Sequence, residues 1–229
     1  GNGVYHSIYD SYDHFTRFVD PNFDYGITLA QTTGRAVLRS ASADTLPFEF
    51  LGFADAVDKY SKEVIKLLDD LREETRRENR LINDHALEAV SDPAQTYIAP
   101  KPKEPVPYLN FAPLQNAVAH LQESARNYQG ARTVSRPAPP ELEAILMKAE
   151  RLLTRGEGLP GRNWYRHQIY APGLYTGYGV KTLPAVREAI EQRNWKEASE
   201  QIQIVAEVLE RFTAEIDRAT NLLKGSTGN

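Results

Sequence analysis

The sequence predicts an all-α fold, a helical bundle of about four long helices joined by long irregular loops. Two long stretches, 53–88 and 195–223, repeat apolar residues at helical spacing. No stretch alternates apolar and polar residues over a useful strand length, and no internal repeat is present. The segments between the periodic stretches are crowded with Pro and Gly, which break helices.

Taken in order, Asp20-Pro21 reads as a helix start, with the proline near a first turn. A helix over 22–42 follows, with Phe23, Ile27, Ala30, Gly34, Val37 and Leu38 at roughly helical spacing. LPFEF (46–50) interrupts. The helix over 53–88 carries Phe53, Val57, Tyr60, Val64, Leu67, Leu68, Leu71, Leu81 and Ile82, and its REETRRENR piece (72–80) reads as a solvated face. DPAQTYIAPKPKEPVP (92–107) holds five prolines and reads as a plain connector. A helix over 111–128, a break at RTVSRPAPP (132–140) and a helix over 141–154 come next. Residues 155–184 mix Gly with aromatics and are expected to be irregular. Helices over 184–192 and 195–223 complete the chain, the last with Ile202, Val205, Val208, Leu209, Phe212, Ile216, Ala219 and Leu223 on one stripe. GSTGN reads as a frayed end.

The totals exclude several classes. The 229 residues are 41% hydrophobic and 25% charged, ordinary for a globular protein with a real core. A net charge of −4 gives no reason to expect nucleic acid as a partner. No apolar run approaches the ~20 residues of a membrane span. Cysteine is absent, which excludes disulfides and thiolate metal sites. Position 1 is Gly and the only methionine is Met147, so the native start is expected upstream and the chain to be a fragment of something longer.

Two places hold candidate chemistry. VYHSIYDSYDHF (4–15) contains His6 and His14, but none of the five histidines has the HExxH spacing of a helical zinc protease. A zinc site needs several converging ligands. On composition alone His6 is therefore a structural or surface residue, as are His14, His85 and His120. Asp10, four residues beyond His6, either shares a helix face with it or starts a helix. The 155–184 loop holds Trp164, Tyr165, Tyr170, Tyr175 and Tyr178 beside Arg162, Arg166 and His167. Tyr and Arg donors orient carboxylates and peptide groups well. The alternative is that the rings of WYRHQIYAP (164–172) bury themselves against the bundle while its arginine, Arg166, makes a local ion pair. Loops of this length in a compact domain tend to be functional or to cover an interface.

Two separated stretches carry a resemblance. VYHSIYDSYDHFTRFVDPNFDYGITLAQTTGRAVLRSA with LPFEF (4–50) resembles the end of the protease domain in the glutamate carboxypeptidase II and transferrin receptor family. NWYRHQIYAPGLYTGYGVKTLPAVREAI (163–190) resembles a loop of that family's helical C-terminal domain. The resemblance implies a zinc exopeptidase parent, with a protease domain, an inserted apical domain and a helical domain that builds the homodimer. It implies two zinc ions in the parent, bridged by a carboxylate and a water. His6, in the YHS motif, matches a zinc ligand, and Tyr5 matches a group that contacts the substrate. Tyr178 matches a tyrosine that holds the C-terminal side of the peptide substrate. Glutamate-preferring members carry a lysine just before that tyrosine, where this sequence has Gly177.

The expected organisation is thus a tail of the zinc peptidase domain over 1–45 and a transferrin-receptor-like helical dimerisation domain over 46–229. The remaining zinc ligands and the general base belong to the upstream protease domain of the same chain. The fragment alone is expected to be catalytically silent, to bind zinc weakly at most, to form a homodimer and to cover the substrate site. The parent is expected to be a zinc carboxypeptidase or aminopeptidase, and an extracytoplasmic location follows from the resemblance. The alternative is a non-catalytic, transferrin-receptor-like scaffold.

Overall fold

A computed structural model describes residues 4–43, 46–91, 94, 98, 100–132 and 139–225, with only the backbone of Leu87. GSTGN after its first glycine, most of DPAQTY and the 133–138 part of RTVSRPAPP lie outside the described residues. The chain divides into two compact units, Gly1–Pro47 and Phe48–Asn229. Helices dominate both, as the periodicity predicts.

In the first unit, residues 4–10 form successive turns and Ser11 caps a single helical turn, its hydroxyl accepting from the His14 N–H at 3.2 Å. Asp10 therefore neither shares a helix face with His6 nor starts a helix. One wide turn, Phe15–Val19, leads to the buried Asp20. The Asp20 carboxylate accepts from the backbone N–H of Gly26 at 2.8 Å and of Tyr25 at 3.3 Å, which satisfies donors left free at a helix start. It thereby caps α1 (Asp24–Ala41). Phe23 sits in the left-handed region, φ 59°, so the helix opens after it and Pro21 lies in the turn before α1 rather than in its first turn. No residue of α1 is buried, and Ile27, Val37 and Leu38 are exposed.

The second unit is built on α2 (Leu51–Asn83), α3 (Ala112–Arg132) and α6 (Trp195–Gly225). Helix α2 buries Ala54, Val57, Ser61, Val64, Leu68 and Thr75, a stripe at helical spacing. It ends five residues before the expected 88. His85 takes φ 56°, and the Asp84 and His85 N–H groups turn back onto the carbonyls of Arg80 and Ile82, which closes the helix as a left-handed cap does. A single turn, Ala86–Ala89, follows.

The proline-rich stretch is not a plain connector. Proline keeps it extended, so its backbone groups meet the side chains of α2 instead of each other. Asn79 donates to the Lys103 carbonyl and accepts from the Lys103 N–H, both at 2.8 Å. Arg72 donates to the Pro107 carbonyl at 3.0 Å, and Val106, Leu109 and Phe111 are buried.

Helix α3 packs most extensively along α6, and also on α2. Leu114, Val118, Leu121 and Tyr128 of α3 meet Ile202, Val205, Leu209, Phe212 and Ile216 of α6 in the core. Phe50 closes one end, its ring edge-on to Tyr128 at 4.9 Å and to Phe212 at 5.7 Å. Between them, α4 (Pro140–Leu146) starts on a proline and tightens after Met147 into a 3-10 turn, Ala149–Leu153, rather than one helix over 141–154. Ala149 and Leu153 keep the buried face that Leu142, Ile145 and Leu146 begin.

The 155–184 loop is not wholly irregular. β1 (Tyr170–Pro172) pairs antiparallel with β2 (Val180–Thr182), with Ala171 opposite Lys181. Strands of three residues are too short to show alternation. Pro184 then opens α5 (Pro184–Glu191), and Asn194 caps α6, accepting from the Glu197 N–H at 3.3 Å and donating to the Glu197 carboxylate at 2.6 Å. Among the described residues no helix is long and apolar enough to cross a membrane.

Candidate functional site

Tyr5 and His6 lie in the turns of the first unit, Tyr178 in the second. The rings of Tyr5 and His6 stack, with centroids 3.9 Å apart and planes 18° apart. His6 takes φ 60°, in the left-handed region that non-glycine residues rarely adopt, and both side chains are open to solvent. Ser7 fixes this turn by donating to the Val4 carbonyl at 2.7 Å.

One imidazole is not a zinc site. Zinc takes three or four converging N, O or S ligands, and no group of three or more His, Asp or Glu among the described residues is placed to hold a metal. The donor set present here does not fit a zinc pair by itself. His6 can serve as one ligand only where other ligands are brought to it.

Tyr178 stands at the tip of the loop between β1 and β2, with a relative exposure of 103%. Its position is set by backbone. The Gly173 N–H donates to the Gly179 carbonyl at 3.0 Å, the Gly179 N–H donates to the Thr176 carbonyl at 2.9 Å, and the Thr176 hydroxyl donates to the Gly179 carbonyl at 2.7 Å. Gly177 turns the chain with φ 57°. A Cβ on Gly173 would come within 2.3 Å of the Thr176 hydroxyl oxygen, so a larger residue there would push the Thr176 side chain off its bond to the Gly179 carbonyl.

What moors this loop is a buried ion pair. The side chains of Arg162 and Glu188 are 3% and 8% exposed. The guanidinium donates to both carboxylate oxygens, at 2.8 and 3.1 Å, a two-pronged match that arginine makes well. Glu188 Oε1 also accepts from the Leu174 N–H at 2.8 Å, tying the loop to α5. The sequence marks Arg162 only as one of the loop's candidate donors and offers a local ion pair, as an alternative, for Arg166; Glu188 goes unmarked. The signal was there: Glu188 stands among Ala185, Ala189 and Ile190, which are buried, and a carboxylate in such company needs a partner.

The aromatic residues divide. Trp164, Tyr175 and Tyr178 are well exposed, so they are not buried against the bundle, while Tyr165 and Tyr170 are partly covered. The Tyr170 hydroxyl donates to Glu150 at 2.8 Å, and this bond raises the hydroxyl's pKa above its usual value. His120 meets Glu210 at 2.9 Å, His85 meets Glu88 at 3.0 Å, and the His14 ring lies beside Phe18, all structural arrangements.

Residues 109–217 match the transferrin receptor-like dimerisation domain. A probable glutamate carboxypeptidase of Arabidopsis thaliana is 29% identical over 225 residues, 98% of this chain and 28% of the plant protein. A probable glutamate carboxypeptidase of Arthroderma benhamiae is 30% identical over 209 residues, 87% of this chain and 24% of that protein. A protein named inactive zinc metalloprotease in Schizosaccharomyces pombe is 29% identical over 114 residues, 46% of this chain and 14% of its own. The chain spans less than a third of the length of these relatives. Most of α3 and α6, the two helices that share the largest interface, fall inside the matched domain. The chain thus carries, over 109–217, a helical dimerisation domain of the transferrin receptor type, and over most of its length it is similar to proteins named as probable glutamate carboxypeptidases.

Proposed function

We propose that this chain is the C-terminal part of a zinc-dependent exopeptidase, in which the helical domain over 46–229 forms the homodimer and presents the Tyr178 loop to a peptide substrate. Residues 1–45 are the closing segment of its peptidase domain. The single observation that carries this reading is the match of the α3–α6 region to a dimerisation domain. In the full-length protein His6 is one zinc ligand and the upstream protease domain supplies the others. Bound zinc supplies a polarised carbonyl and an activated water. Tyr5 and Tyr178 each offer a hydroxyl able to donate to the substrate, one beside the metal ligand and one at the C-terminal side of the peptide. Gly177 leaves the residue before Tyr178 without a side chain, so it offers no cation to a glutamate. An extracytoplasmic location belongs to the same reading.

Sedimentation equilibrium of the 229-residue chain at micromolar concentration tests the dimer; a monomer across that range refutes it. In the full-length protein, His6→Ala lowers the zinc retained through dialysis, and Tyr178→Phe raises KM more than it lowers kcat. The chain alone retains no stoichiometric zinc; if it does, His6 has partners within these residues and the site is misassigned. A second reading is a scaffold without catalysis, favoured by the fission-yeast relative that bears the name of an inactive protease. A full-length protein that dimerises yet holds no zinc decides for the scaffold.

A further inference from the structure

His167 stands where the hairpin joins the bundle, and its two ring nitrogens have opposite surroundings. Nδ1 accepts from the backbone N–H of Ile169 at 3.2 Å and of Tyr170 at 3.3 Å. That nitrogen carries the lone pair, so the neutral ring holds its hydrogen on Nε2. Nε2 is buried without a hydrogen-bond partner. Glu150 Oε1 is 3.9 Å from it and already accepts from the Tyr170 hydroxyl. The Tyr170 ring covers the imidazole, with centroids 4.1 Å apart. The same short turn is fastened on both sides. The Gln168 N–H donates to the Leu153 carbonyl at 2.9 Å, and the Leu183 N–H donates to the Ile169 carbonyl at 2.7 Å.

We propose that His167 is a pH-sensitive staple of the hairpin: neutral, it holds the turn that enters β1, and protonated, it releases that turn and loosens the loop that carries Tyr178. This goes beyond the proposed peptidase function and does not depend on it. A second proton can go only to Nδ1, because Nε2 already bears one. An N–H at Nδ1 would point at two backbone N–H groups, so both hydrogen bonds are lost and three donors face one another.

The titratable groups facing the ring are Glu150, from the Ala149–Leu153 turn, and Tyr170, from β1. Thr154, bridged to His167, is neutral. Burial holds the imidazole below the usual histidine pKa, and the Glu150 charge works against that. The Glu150 side chain is 71% exposed, so its attraction is screened and does not offset the lost bonds. A base whose pKa is lowered by folding binds more protons when released. The staple is therefore complete above the ordinary histidine value of about 6.5 and is lost as pH falls from there through the folded-state value.

The test is an NMR titration of the 229-residue chain from about pH 8 to about pH 4.5, following the His167 ring and the amides of Ile169 and Tyr170. The ring is expected to titrate below about 6.5. Both amides should shift with the same midpoint, and their exchange protection, corrected for intrinsic rate, should fall by up to about tenfold for each pH unit between about 6.5 and that midpoint and level off below it. His167→Asn places a carbonyl oxygen near the position of Nδ1 and should keep both amides protected throughout. His167→Ala should lose their protection even at pH 8. The proposal is overturned if the amides stay protected while His167 protonates, if the ring titrates at or above the free value, or if His167→Asn shows the same loss in acid.

Discussion

Glu188→Ala is expected to be the most damaging single change in the loop region. Removing the carboxylate leaves the Arg162 guanidinium buried without a counter-ion and the Leu174 N–H without an acceptor. Breaking a buried pair by deleting one partner costs about 3–5 kcal/mol. For a domain of 150–250 residues each kcal/mol lowers Tm by about 2–4 °C, so the loss is roughly 6–20 °C. Glu188→Gln should fall between wild type and Glu188→Ala, because its amide oxygen still accepts one or two of the three hydrogen bonds. The double change Arg162→Met with Glu188→Met removes both charges and leaves chiefly the Leu174 N–H orphaned, about 1–3 kcal/mol. It should therefore be less damaging than Glu188→Ala alone. Urea unfolding of wild type, of these variants and of the single changes Arg162→Met and Glu188→Met, followed by circular dichroism with the slope checked for constancy, gives all the values needed. A loss under about 1 kcal/mol for Glu188→Ala, or strict additivity of the two single methionine variants, would refute the claim that this pair moors the loop.

Two further outcomes come from the same unit. Gly158→Ala should destabilise by more than about 2 kcal/mol, since φ is +71° and a Cβ would meet the Asn163 carbonyl oxygen at 2.2 Å, whereas Gly177→Ala, with open space around it, should cost only the left-handed penalty of about 1 kcal/mol; thermal unfolding distinguishes them. Thr213→Val should be neutral or stabilising by up to about 1 kcal/mol, because the Thr213 hydroxyl is buried without a partner, while Thr220→Val, which loses a bond to the Ile216 carbonyl at 2.8 Å, should gain nothing. Equal urea midpoints for the two valine variants would contradict this.

The long helices were legible because a buried stripe at 3.6-residue spacing leaves a signal that many residues share, as in α2 and α6. Their ends were less so. No residue type at 85 announces a left-handed cap, since histidine takes that conformation only where the surrounding turn holds it there. The hairpin escaped notice because strands of three residues, one ending in proline, offer no period to detect. The docking of 100–111 was hidden for a related reason: extended backbone is fastened by individual bonds, such as those of Asn79, which have no periodic signature. His6 is the opposite case. Composition leaves it bland, the family resemblance makes it a ligand, and the structure shows an exposed imidazole on a left-handed backbone with no ligand group around it among the described residues, because a metal site is a property of several segments at once and one motif cannot display it.

The two kinds of legibility bear on how function here can be tested. Tyr178 reaches solvent on every side, and the turn beneath it is closed by bonds among Gly173, Thr176 and Gly179, none of which uses the tyrosine ring. Its removal should therefore leave stability within about 0.5 kcal/mol of wild type, as for surface positions generally. Glu188 and Gly158 behave in reverse: each shapes the region without contributing a side chain to the exposed tip. Substrate handling in the full-length protein that is lost with Tyr178→Ala at unchanged Tm is thus a property of the tip itself. The same loss with Glu188→Gln, accompanied by a lower Tm, comes from mooring. A Tyr178→Ala variant that unfolds early would mean that the tip packs against something in the native assembly, and the loop would then belong to an interface rather than to a substrate.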